Sequence, residues 1–193
     1  MIFANGALAL LPVLVFLGAL IFLDSYKLIK LKYVNRTLLI GAVTAVVSLL
    51  VNYFLLEWSH LPLRIFARYA APLIEEAFKI IYIIVLIRLN KVGFLVDAAI
   101  LGFGVGAGFA VVENIYYLNN LEDSNLLLWV VRGFGTPAMH GGTTAIAAMI
   151  TKFYFDKYQN TNWVFFPGLF IAAFIHSTYN HFFLPPLITT AVV

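Results

Sequence analysis

Residues of the types that activate water or hold metal ions recur in four apolar stretches of this sequence. Glu75, Glu76 and Lys79 fall in one stretch, Glu113 and Asn114 in the next, Arg132 and His140 in a third, and His176 and Asn180 in the fourth. Glu75 and Lys79 are four apart with the acid first, the favourable order for an ion pair along a helix. Glu76 points roughly 100° away from Glu75, so one lysine does not neutralise both. Glu113 adds a third carboxylate. The excess negative charge has to be met by Arg132, a bound cation, protonated histidines, or a carboxylate that keeps its proton. A carboxylate beside a neutral histidine can serve as a general base for water. Glu75 and Glu76 are the candidates for that base, with Glu113 assisting. His176 and Asn180 share a helix face and could stabilise a developing oxyanion, with His140 as a further donor. The same residue types also make a catalytic metal set. His140, His176 and Glu113 with an open fourth position would suit Zn²⁺.

The elements that must position these groups are membrane helices. The chain has 193 residues, 63% of them hydrophobic and 11% charged, with a mean hydropathy of +0.96. A soluble domain carries roughly 25% charged residues, so water is the wrong solvent for this surface. The net charge of +3 is scattered and does not suggest nucleic acid. There is no cysteine, which excludes disulfide and thiolate chemistry within this sequence. Six apolar segments are expected to span the bilayer, at about 7–23, 37–56, 70–87, 96–118, 127–155 and 163–183. Each is close to the ~20 residues a crossing needs. The fold class is therefore all-α, a polytopic membrane bundle in a single domain over 1–193, with the chemistry in the helices of about 70–183. Positive charges follow the first segment, which predicts a retained helix and not a cleaved leader. Gly133, Gly135 and Pro137 predict a kinked or re-entrant start to the fifth helix.

Loop charges give an orientation. Lys27, Lys30, Lys32 and Arg36, then Arg88 and Lys91, then Lys152 and Lys157 mark alternate loops as cytoplasmic. Both termini are then expected outside. Arg64 and Arg68 break the pattern and are expected on an interfacial amphipathic turn near Trp58 and His60. At 1.5 Å rise per residue, Glu75, Glu76, Glu113, His140 and His176 then all fall in the outer half of the membrane. A buried ionisable group costs about 2.5–3.5 kcal/mol even on the lenient insertion scale. Four helices with such groups at one level imply one shared polar site.

Other features read as structural. Gly102, Gly104, Gly106 and Gly108 form overlapping small-xxx-small patterns and predict close helix packing. A nucleotide loop is excluded there, because no soluble strand precedes it. Trp129, Tyr116, Tyr117 and Trp163 are expected as interfacial aromatics, and His181 as a residue facing away from the site. Asn114 and Asn180 could equally be hydrogen bonds between helices.

Four motifs, APLIEEAFK (Ala71 to Lys79), GAGFAVVEN (Gly106 to Asn114), RGFGTPAMHGG (Arg132 to Gly142) and IHSTYN (Ile175 to Asn180), occur in order on successive helices. Together they resemble the PrsW family of intramembrane proteases, within the wider superfamily that includes the CAAX-prenyl proteases. The resemblance implies peptide-bond hydrolysis inside the membrane. It maps paired acids onto Glu75 and Glu76, a second acid onto Glu113, and histidines onto His140 and His176. In the CAAX-prenyl branch a histidine stands where this chain has Glu113. The resemblance also implies a first cut in a single-pass, anti-sigma-factor-like substrate, on the outer side of a prokaryotic cell membrane. The family's description covers both metalloprotease and glutamate-type chemistry. The sequence has no His-Glu-x-x-His, Gly-x-Ser-Gly or Gly-x-Gly-Asp element of other intramembrane proteases. The competing classes are a proton- or ion-coupled transporter and a silent scaffold that binds membrane helices. A relay would string polar groups across the membrane, and no internal repeat is evident.

Overall fold

The structure is a computed structural model that describes residues 11–19, 22, 29–120, 126–158 and 163–182. Among these residues there are helices and no strands. Residues 11–19 form α1, Leu31–Ser59 form α2, and Leu63–Ile65 form the short turn α3. A π-helical turn, Phe66–Ala70, runs from α3 directly into α4, Ala71–Arg88. The remaining helices are α5 (Leu95–Asn120), α6 (Leu126–Tyr158) and α7 (Phe166–Phe182). The second predicted segment is thus longer than its apolar run, because Leu31 to Arg36 already continue the helix. The chain termini, with Pro185 and Pro186, lie outside the described residues.

The surface of this bundle is apolar where a soluble protein would be polar. Leu39, Val43, Leu50 and Phe54 on α2 and Phe170 and Phe174 on α7 are all exposed. A run of such side chains is stable only against lipid. By length and apolarity alone, α2 and α5 qualify as spans, with mean hydropathies of 2.2 and 2.0. The polar groups of α4 and α6 turn inward instead. Glu76, Lys79, Arg132 and His140 are all buried.

Helix α5 lies between α2 and α6 because its glycines remove side chains on two faces. A Cβ at Gly102 or Gly106 would meet the backbone of α6, at Thr144 and at His140. A Cβ at Gly104 or Gly108 would meet α2, at Thr37 and Leu38. The predicted close packing is present, and Gly41 on α2 completes it by seating against the Val105 carbonyl. Gly106 has a direct consequence for chemistry, since its bare backbone fixes how near the His140 turn comes to α5.

The predicted re-entrant start of α6 is not seen. The helix runs unbroken from Leu126 to Tyr158 with Pro137 inside it. Where α4 begins, the chain is held by α7. Ser177 Oγ donates to the Arg68 carbonyl at 2.5 Å, and Asn180 Nδ2 to the Ala67 carbonyl at 3.0 Å. The wide π turn presents both carbonyls outward to these donors. Arg64 lies exposed on α3, as an interfacial turn requires.

Candidate active site

Consecutive positions on α4 send two carboxylates in different directions. Glu76 and Lys79 turn toward α6 and α7 and are almost fully buried, whereas Glu75 turns toward α2. Lys79 Nζ lies 2.5 Å from Glu76 Oε1. This corrects the sequence expectation, which paired Lys79 with Glu75. Spacings of three and four both place side chains together. The lysine follows Glu76 because that direction leads to further partners. Glu76 Oε1 also accepts from His176 Nδ1 at 2.9 Å and from Thr143 Oγ1 at 3.3 Å. One oxygen therefore ties α4, α6 and α7 together.

From Lys79 a hydrogen-bonded chain runs across the bundle. Its Nζ is 2.9 Å from His140 Nδ1, and it sits 4.7 Å from the centre of the Phe109 ring. A lysine that donates to Nδ1 leaves the imidazole proton on Nε2. That nitrogen faces Glu113 Oε2 at 2.9 Å. Arg132 Nη2 lies 3.7 Å from the same oxygen, and its guanidinium stacks 3.6 Å from the Tyr117 ring centre. Arg132 thus balances Glu113, as expected from its charge. Tyr117 is a stacking partner in the site, not the simple interfacial aromatic expected. Trp129 also departs from that expectation, being buried inside the protein.

Glu75 closes the ring of groups. Its Oε1 accepts from Asn52 Nδ2 at 3.1 Å, and its Oε2 lies 3.8 Å from His176 Nε2. That Oε2 is buried and has no hydrogen-bond partner among the described residues. The two imidazoles meet edge to face with centres 4.8 Å apart. Glu75 and Glu113 line a cavity of about 250 Å³ between α2, the π turn, α4, α5 and α7. The four motif-bearing helices therefore deliver Glu75, Glu76, Glu113, His140 and His176 to one place. Asn114 is fully buried beside Glu113 on α5. Asn180 lines the cavity too, but one of its amide hydrogens is committed to Ala67. His181 lies beside Phe182 at the end of α7, away from the cluster.

The donor set fits a metal by type. One ligand atom each from Glu75, His140 and His176 lie within 4.8 Å of one another. This grouping contains Glu75 where the sequence reading had Glu113, which instead bonds His140 Nε2. His176 has the support expected of a ligand, with its far nitrogen on the Glu76 carboxylate. At His140 the corresponding nitrogen faces Lys79.

Sequence reasoning missed Asn52, Ser48, Thr143 and Phe109. Asn52 carried a readable signal, as an amide in the middle of the apolar run 37–56. Thr143 and Phe109 carried none, because threonine and phenylalanine are ordinary in membrane helices.

Apolar helices enclosing a cluster of carboxylates and imidazoles fit an integral membrane enzyme. The comparison with known families makes this specific. Residues 30–193 match the PrsW family intramembrane metalloprotease, and the chain belongs to that family. It is accordingly an intramembrane protease. No curated protein and no solved structure matches it.

Proposed function

We propose that the chain cuts a peptide bond of a single-pass membrane protein near the outer face of the cell membrane. The observation that carries this reading is the unpartnered Glu75 Oε2, facing a cavity that Glu113 also lines. Glu75 is the residue we assign as base. A water placed there loses a proton to Oε2 and attacks the scissile carbonyl, after which the C–N bond breaks and the proton passes from Oε2 to the leaving amine. Glu76 is the less suited acid, since its side chain is almost fully buried and its Oε1 already takes three donors. It orients His176 and holds Lys79. His140 gives its one hydrogen to Glu113 and His176 gives its Nδ1 hydrogen to Glu76, so these rings hold the carboxylates in place, and an oxyanion is met by His176 Nε2 once that nitrogen takes up a proton. Lys79 fixes the His140 tautomer. Arg132 holds Glu113 in place. An anti-sigma-factor-like substrate is the class that the family resemblance suggests, and the outer-half depth argued from loop charges agrees with it.

A second reading is favoured by the grouping of Glu75, His140 and His176. These three would hold a divalent cation such as Zn²⁺, which supplies Lewis-acid polarisation of water and of the scissile carbonyl when bound. Glu113, next to His140, is then the remaining carboxylate for proton transfer.

The test is cleavage of a tagged single-pass protein in liposomes containing the purified chain. The expected result is a cut within or next to the membrane segment, with product masses that locate the bond. Activity surviving exhaustive chelation supports Glu75 as base. Loss on chelation with recovery on adding Zn²⁺ supports the three-ligand site. Proton flux into the liposomes without any proteolysis would overturn both in favour of transport.

A further inference from the structure

Helix α2 carries none of the four motifs, yet it forms a wall of the cavity. Ser48 and Asn52 are four apart, share a face of α2, and both line the cavity with Glu75 and Glu113. Asn52 turns its amide nitrogen to Glu75 Oε1 at 3.1 Å. Its other polar atom, Oδ1, is buried without a hydrogen-bond partner among the described residues, as is Ser48 Oγ. Ser48 is only 1% exposed. Native proteins rarely leave such atoms unpaired, and each exception calls for an explanation, a group that binds there among them. The remaining wall is mostly apolar, with Ala45, Leu49, Phe66 and Phe109 among its residues and Asn180 and Tyr117 adding polar groups. About 250 Å³ is far more than one water occupies, roughly 30 Å³.

An acceptor and a hydroxyl on one helix face, apolar walls and an adjacent base match an extended polypeptide. Such a chain offers a main-chain N–H and C=O at each residue and puts its side chains into apolar space. We propose that Asn52 and Ser48 bind the main chain of the substrate beside the scissile bond. Asn52 Oδ1 accepts a peptide N–H, and Ser48 Oγ donates to a neighbouring peptide carbonyl. The same amide, through Nδ2, sets Glu75 against the bond being cut. This inference rests on the reading of the site as one that hydrolyses peptides.

The test uses semisynthetic single-pass substrates in which one N–H at a time, within four residues of the cut, is replaced by an ester oxygen. Wild type is compared with Asn52→Ala and Ser48→Ala, with folding checked by size-exclusion profile and thermal midpoint. In wild type, one ester is expected to lower kcat/KM about tenfold, mainly through KM, as loss of one hydrogen bond to a buried acceptor should. Asn52→Ala is expected to lower it similarly, and that ester is expected to cost nothing further in this variant. An ester penalty equally large in wild type and Asn52→Ala at every position would overturn the proposal and leave Oδ1 to water. If Asn52→Ala fails to fold, Ser48→Ala carries the test, through an unchanged KM against a raised one. If wild type cleaves none of the substrates, the peptidase reading itself falls.

Discussion

Exchanging Glu75 for Gln is expected to lower cleavage about 10²- to 10⁴-fold while the bundle stays folded. The range is that of a lost general base. Gln has nearly the shape of Glu, and an oxygen at the Oε1 position still accepts from Asn52 Nδ2. What disappears is the Oε2 lone pair, a buried atom with no partner among the described residues. The second reading gives the same sign, because Gln is a poor substitute for a carboxylate ligand. Initial rates on the tagged substrate, taken alongside thermal unfolding in the same detergent, check this. A wild-type rate in Glu75→Gln, or a loss that appears only with unfolding, would contradict it.

Lys79→Met is expected to destabilise the fold by about 3–5 kcal/mol, the range for removing one partner of a buried ion pair. Both side chains of the pair are nearly inaccessible, at 0% and 1% exposed. Methionine fills similar volume, so the loss is electrostatic. Glu76 keeps His176 and Thr143 but faces them with a bare charge, and His140 Nδ1 loses its donor. The cost should fall when Glu76→Gln is added, since the stranded charge is then gone. Reversible unfolding in mixed micelles would measure all three variants. Equal stability of wild type and Lys79→Met, or a double variant weaker by the full sum of the singles, would contradict the assignment.

Part of this arrangement is legible in the residues themselves. Four helices carrying acids and imidazoles at one depth were legible because the bilayer penalises each such group, leaving a shared pocket as their reason to be there. The glycine ladder of α5 was legible for a related reason, since Gly102 and Gly106 serve α6 while Gly104 and Gly108 serve α2. The partner of Lys79 was not legible. Spacing permits Glu75 and Glu76 alike, and only the arrangement of α6 and α7 decides between them. At Pro137 the re-entrant turn was the wrong alternative, because α6 runs on through the proline. The division of labour between the acids was also hidden, because it depends on which oxygen other helices reach. Lys79, His176 and Thr143 crowd one oxygen of Glu76, while Asn52, from a helix without any motif, takes one oxygen of Glu75.

The central claim is that acids and imidazoles from separate helices act as one hydrolytic unit. It is tested most directly by the cleavage rates of Glu113→Gln on α5, His176→Ala on α7, and the two combined. Residues that act as a unit are strongly non-additive, so the double variant should be scarcely slower than the worse single variant. A double variant slowed by the product of the two single losses would mean that Glu113 and His176 work independently.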